Sequence, residues 1–161
     1  MKVLVVEDSV LVTKILKKVI SQQDTGIEAV FCTTMAQAQA HLDIDADSFY
    51  VALVDLNLPD APSGEIVDLM LAQGLPTVVL TATFDEKRRE ALLNKGVVDY
   101  VVKESRYSYE FAVQLLSRLY TNRYVKILLA EDSTTYRKLL RTQLVRYNYQ
   151  VIEAADAEQA L

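Results

Sequence analysis

The 161-residue sequence has a single cysteine, Cys32, so no internal disulfide can form and metal sites built on paired thiolates are excluded. Cys32 ends an apolar strand pattern and reads as a small buried residue rather than a reactive thiol. No apolar run approaches the length that spans a bilayer, and no secretory leader pattern stands before the first strand. A cytoplasmic location, without membrane contact, is therefore expected. Positive charge is also short. The formal charge of −5 argues against a nucleic-acid groove or an anionic membrane surface as the main partner. The deficit is uneven: residues 1–124 hold 12 basic and 17 acidic side chains, and residues 125–161 hold 5 of each. Half the residues are apolar, 51%, which is enough to build a core.

Short apolar runs alternate with helix-period segments. "VLVV" at Val3–Val6 predicts a strand, after which Ser9 caps a helix whose Ile15, Leu16, Val19 and Ile20 make one apolar face. "GIEAVFC" from Gly26 is a second strand, and Thr34 opens the short helix "MAQAQAHL". "YVALVD" ends a third strand at Asp55, "LPDAPSG" is a loop, and "EIVDLMLAQ" is a helix closed by Gly74. "PTVVLTA", "DEKRREALLNKG" and "VVDYVVK" are a fourth strand, a helix closed by Gly96 and a fifth strand. "YEFAVQLLSRLY" is the fifth helix. Strands as apolar as "TVVL" and "ALV" imply burial on both faces, hence a parallel sheet between helical layers. The fold class is α/β, doubly wound, and such sheets bind ligands beyond the carboxyl ends of their strands.

After "TNRY" the pattern restarts. With an offset of 124, Glu7, Asp8, Ser9, Lys14 and Leu16 recur as Glu131, Asp132, Ser133, Lys138 and Leu140. Residues 1–124 thus read as one domain, and residues 125–161 as the strand, helix, strand and opening helix of an incomplete second copy. A fragment below about 40 residues rarely folds alone, so the chain reads as a piece of a longer protein.

The chemistry collects at the strand ends. The first strand delivers Glu7 and Asp8, the third Asp55, the fourth Thr81 and the fifth Lys103. Parallel strands put all of them on one edge of the sheet. Three neighbouring carboxylates repel unless a counter-charge joins them. All-oxygen donors select a hard cation, and an open, partly hydrated site favours Mg²⁺ over Ca²⁺. A metal plus Lys103 would make a positive pocket around one carboxylate, suited to phosphoryl oxygens, with Asp55 as the nucleophile that forms an aspartyl-phosphate.

The acid pair Glu7–Asp8, "LVDLNLP" around Asp55, "LTA" at Leu80–Ala82 and "DYVVK" ending at Lys103 together resemble the receiver domain of two-component response regulators. The likeness covers residues 1–124 in full and residues 125–161 as the start of a second receiver, so that the whole resembles a tandem. It implies a flavodoxin-like, five-stranded receiver fold in a bacterial signalling protein. Asp55 would take phosphoryl from a histidine kinase or phosphotransfer protein. Asp8, Asp55 and the Asn57 main-chain carbonyl would hold Mg²⁺, and Glu7 would act through coordinated water. Lys103 and Thr81 would meet phosphoryl oxygens, small Ala82 would leave room for them, and Tyr100 would be an aromatic switch. The face of the fourth helix, fifth strand and fifth helix would change shape, and it is also the expected homodimer surface. The chain itself would be a phosphoacceptor, not an enzyme, controlling an output beyond residue 161 such as a diguanylate cyclase. In the second copy, Glu131 and Asp132 would repeat the acid pair.

One position departs from the pattern. Receivers usually follow the fifth-strand lysine with a proline in a cis peptide, and here Glu104 follows. A cis bond outside proline costs about 3–4 kcal/mol, so a trans bond is expected. Two rival readings use the same residues. A haloacid-dehalogenase-like phosphatase needs a second Asp two residues after the nucleophile, where this chain has Asn57. A receiver-like docking module that takes no phosphate would rest on Glu104. Elsewhere His41 reads as an exposed helix-end residue, and Asp43, Asp45 and Asp47 lack the Gly and distal Glu of a calcium loop. "KRRE" at Lys87–Glu90 reads as a solvated helix face.

Overall fold

The unbroken apolar runs become strands buried on both faces. β1 (Lys2–Val6), β2 (Glu28–Cys32), β3 (Val51–Asp55), β4 (Thr77–Thr81) and β5 (Asp99–Val102) form one parallel sheet in the order β2-β1-β3-β4-β5. Every residue of β3 and β4 is buried, as is β1 from Val3 onward, while the edge strand β2 is mostly half-buried. The computed structural model describes residues 1–23 and 26–160. This is the doubly wound α/β arrangement that the sequence predicts.

Five helices complete the layers: α1 (Val10–Gln22), α2 (Met35–Asp45), α3 (Glu65–Ala72), α4 (Glu86–Lys95) and α5 (Arg106–Asn122). Alternate residues of a strand face opposite sides of a sheet. Leu4, Val6, Ala52, Val54 and Val79 accordingly join one apolar cluster with Leu42 of α2, Ile66 and Met70 of α3 and Leu92 of α4. Val3, Val5, Leu53, Val78 and Leu80, which alternate with them, are just as buried, as are Leu16 of α1 and Val113 and Leu116 of α5. Helix starts follow the capping residues. Ser9, Thr34 and Asp85 accept from the backbone N–H of Val12, Gln37 and Arg88 at 3.4, 3.2 and 3.0 Å. α5 begins three residues before the apolar period of "YEFAVQLL", because its first turn, Arg106-Tyr107-Ser108, carries no apolar stripe to reveal it.

Gly64 shows what one position demands. It enters α3 at φ +88°, and a Cβ there would lie 3.3 Å from both the Arg88 guanidinium and the Leu56 side chain. The left-handed backbone is what favours glycine there, since both neighbours are the tips of flexible side chains.

The chain divides into two compact units, Met1–Ser117 and Arg118–Leu161. The division falls inside α5, seven residues before the point where the sequence pattern restarts. The second unit contains β6 (Lys126–Ala130), α6 (Thr134–Arg146), β7 (Gln150–Ala154) and the short α7 (Ala157–Ala160), with β6 and β7 paired in parallel. No residue of β6 is buried, and Leu128 is 51% exposed. β1, with a similar sequence, is flanked on its other edge by β3, whereas among the described residues β6 pairs with β7 alone.

Candidate functional site

β1, β3, β4 and β5 each end in a residue that leaves the sheet on the same side, around the place where strand order reverses between β1 and β3. Glu7 prolongs β1: its N–H donates to the Cys32 carbonyl at 2.9 Å. The Glu7 carboxylate is 2% exposed, taking the Ser9 N–H on Oε1 at 3.0 Å and the Lys103 ammonium on Oε2 at 2.7 Å. Asp55 ends β3, accepting the Asn57 N–H on Oδ1 at 3.3 Å and the same ammonium on Oδ2 at 2.7 Å. Asp8 is exposed, yet one carboxylate oxygen from each of Glu7, Asp8 and Asp55 falls within 4.8 Å of the others. Among the described residues no other such group occurs.

Lys103 is held from behind. Its N–H donates to the Thr81 carbonyl at 2.7 Å, and the Glu104 N–H donates to the Val102 carbonyl at 2.9 Å. This second bond closes a γ-turn centred on Lys103. The Lys103–Glu104 peptide is trans, as are all others among the described residues. Glu104 therefore does not displace the ammonium, which reaches both carboxylates with only 8% of its side chain exposed.

The electrostatics follow from burial. Desolvation raises the Glu7 pKa, against the opposing pull of Lys103. Desolvation also works against the Lys103 charge, but the hydrogen bonds and charges of Asp55 and Glu7 outweigh it and raise its pKa above the ordinary lysine value. Three carboxylates against one ammonium leave an excess of negative charge, which a divalent cation would neutralise. The donors are all oxygens and one of the three acids faces solvent, so the residues fit a hard, partly hydrated ion such as Mg²⁺.

A second unmet group points the same way. The Thr81 hydroxyl ends β4 beside Asp55, is buried, and has no hydrogen-bond partner among the described residues. Such a group ordinarily finds one. Ala82, next in the chain, and Asn57 are both exposed. Tyr100 is buried on β5, and its hydroxyl donates to the Thr83 carbonyl at 2.9 Å, linking β5 to the loop after β4.

The structure adds residues that the sequence pattern does not mark. Tyr109 of α5 is buried near enough to feel the charges of Lys103, Glu7 and Asp55, and burial raises its pKa. Asp60, in the loop after β3, is not part of the acid cluster and accepts from two backbone amides of α2. By contrast His41, Asp43, Asp45 and Asp47 are exposed, and none of the three acids belongs to a metal-holding group. Lys87–Glu90 lie along α4, partly exposed. In the second unit, Glu131 and Asp132 follow β6 as Glu7 and Asp8 follow β1, and the Ser133 N–H donates to Glu131 Oε1 at 2.9 Å.

This arrangement of an acid triad, a strand-end hydroxyl and a buried lysine at one edge of a doubly wound sheet is that of a signalling receiver domain by class. Residues 3–109 match the response regulator receiver domain family, and the chain belongs to it. Two solved structures of two-component system response regulator/GGDEF domain proteins are each 45% identical to this chain over 99% of its length, with TM-scores of 0.91. The chain spans 63% of the length of each. A response regulator receiver domain from Rhodospirillum rubrum, 22% identical, shares the fold with a TM-score of 0.62 over 75% of this chain and 94% of its own. No curated protein matches. Among the described residues no helix is long and apolar enough to cross a membrane.

Proposed function

We propose that Asp55 accepts a phosphoryl group from a phosphohistidine on a histidine kinase or phosphotransfer protein. The carrying observation is Lys103, fixed 2.7 Å from both Asp55 and Glu7 in a pocket that also holds Asp8. An Asp55 carboxylate oxygen attacks phosphorus. The new P–O bond forms as the P–N bond breaks, and the imidazole departs as a neutral ring when its other nitrogen carries a proton. Lys103 then turns from the carboxylates to a phosphoryl oxygen, and the unpartnered Thr81 hydroxyl donates to another. Exposed Ala82 leaves that side open. Asp8, Asp55 and the Asn57 carbonyl would hold Mg²⁺, with Glu7 acting through water. When bound, this ion offsets the charge that gathers on the phosphoryl oxygens.

The response then travels through the loop between β4 and α4. Tyr100 is tied to that loop through Thr83, so movement of Thr81 toward the phosphoryl group works on the face of α4, β5 and α5. Exposed Phe84, Tyr107 and Phe111 supply apolar surface there for a homodimer. The second unit is the opening of a second receiver, with Glu131 and Asp132 as its acid pair. The likeness to response regulator/GGDEF domain proteins supports a diguanylate cyclase as the output, in a cytoplasmic bacterial protein with magnesium as cofactor.

The test is intact mass after incubation with Mg²⁺ and acetyl phosphate. A stoichiometric adduct of about 80 Da, absent in Asp55→Asn, is expected. An unmodified protein overturns the proposal. Continuous release of inorganic phosphate over many turnovers would instead indicate a phosphatase.

A further inference from the structure

The loop that carries Asn57 is fastened at its far end to a different helix. Asp60 Oδ1 accepts the Met35 N–H and its Oδ2 the Ala36 N–H, both at 2.9 Å. These are the first two amides of α2, donors that the helix itself leaves unpaired, at the end where its dipole favours negative charge. The two bonds hold the Asp60 carboxyl below its ordinary pKa.

Little freedom remains between Asp55 and Asp60. The Asn57 N–H is bound back to Asp55 Oδ1. Leu56, Leu58 and Ala61 are buried, so the backbone dips into the core on either side of exposed Asn57. The Ala61 N–H donates to the Leu58 carbonyl at 3.2 Å, closing a four-residue turn with Pro59 at its second position. Asn57 therefore lies between two fixed points, one on Asp55 and one on α2.

We infer that Asp60 is a positioning residue for the metal site, clamping the Leu58–Ala61 turn to α2 and thereby fixing the Asn57 main-chain carbonyl. The inference rests on Asn57 serving as a ligand, as proposed above. Asp60 touches neither the metal nor the phosphoryl group and acts only through the loop, as outer partners of metal ligands commonly do.

Thr34 provides the control. Its hydroxyl caps α2 at the Gln37 N–H and makes no hydrogen bond to the loop among the described residues, so Thr34→Ala weakens the helix start but leaves the clamp. Mg²⁺ binding to the full chain is measured by isothermal titration calorimetry. Asp60→Ala is expected to raise the dissociation constant about tenfold. Asp60→Asn, whose single amide oxygen replaces two acceptors, should fall between Asp60→Ala and wild type, and it carries the test if Asp60→Ala does not fold. Thr34→Ala should bind as wild type does. Hydrogen exchange at Met35 and Ala36 should quicken in both Asp60 variants. Unchanged affinity in the Asp60 variants, or equal loss in Thr34→Ala, overturns the inference while the metal site stands. A wild-type chain that takes up no Mg²⁺ overturns both.

Discussion

Replacing Glu104 by proline would restore the residue most receivers carry after the strand-five lysine, and consensus changes of that kind usually stabilise. In this chain the opposite sign is expected. The Glu104 N–H donates to the Val102 carbonyl at 2.9 Å, and proline has no N–H to give. The centre of a γ-turn has ψ of about ±65°, whereas a residue preceding proline is driven to ψ of about 120–160°. The Lys103 backbone must therefore rotate in Glu104→Pro. Losing the turn bond alone costs about 1 kcal/mol. If the rotation also withdraws the ammonium, Glu7 and Asp55 are left buried without a counter-charge, a loss of about 3–5 kcal/mol. A destabilisation of about 2–4 kcal/mol between those bounds would be read from urea unfolding followed by circular dichroism. Glu104→Ala keeps the backbone N–H, removes only an exposed side chain, and should stay within about 0.5 kcal/mol of wild type. A Glu104→Pro protein as stable as Glu104→Ala would show that the γ-turn does not aim Lys103.

Cys32 is 1% exposed, and burial pushes its thiol up to about 11; at pH 8 iodoacetamide should label the folded chain on the order of 100-fold more slowly than the unfolded one, and equal rates would refute the burial. Because the folded state holds that proton more tightly, stability should fall as pH rises from about 9 to about 11, a slope that Cys32→Val should reduce in pH-dependent urea titrations. In native-state hydrogen exchange, amides of β6 and β7 should exchange at least about 100-fold faster than those of β1 and β3, since a two-stranded sheet is marginal in water; equal protection would contradict the exposed character of β6.

Those elements whose signal is local were legible in the sequence. β1, β3 and β4 announce themselves by apolar runs, and Ser9 and Thr34 mark helix starts through bonds made three residues away. The parallel sheet then follows from helices between the strands, and with it the gathering of Glu7, Asp8, Asp55 and Lys103. What stayed hidden depends on partners distant in sequence. Asp60 sits in an ordinary Pro-Asp turn, and nothing in "LPDAPSG" reveals that its carboxylate belongs to an amide pair 24 and 25 residues earlier. The pairing of Lys103 with Glu7, 96 residues apart, likewise depends on how far β1 and β5 extend past the sheet. Tyr109 opens a helix pattern in the sequence, but nothing in that pattern shows that its ring is buried near the charges of Lys103, Glu7 and Asp55.

The repeated phrase separates what a motif encodes from what a site requires. Around the first copy, the Ser9 N–H binds Glu7 Oε1 at 3.0 Å and the Ser9 hydroxyl accepts from Val12 N–H at 3.4 Å. Around the second, the Ser133 N–H binds Glu131 Oε1 at 2.9 Å and its hydroxyl accepts from Tyr136 N–H at 3.4 Å. The turn and the cap are thus reproduced almost bond for bond by local sequence. The charge cluster is not: Glu7 is buried and its pKa raised, while Glu131 is half-buried and gathers no third carboxylate among the described residues. The difference comes from Asp55 and Lys103, which β3 and β5 bring from 48 and 96 residues beyond Glu7. Desolvation is costly only where strands close around the acids, and the same strands deliver the lysine that offsets it. An acid pair after a strand is therefore a place for a site, and the completed sheet turns it into one.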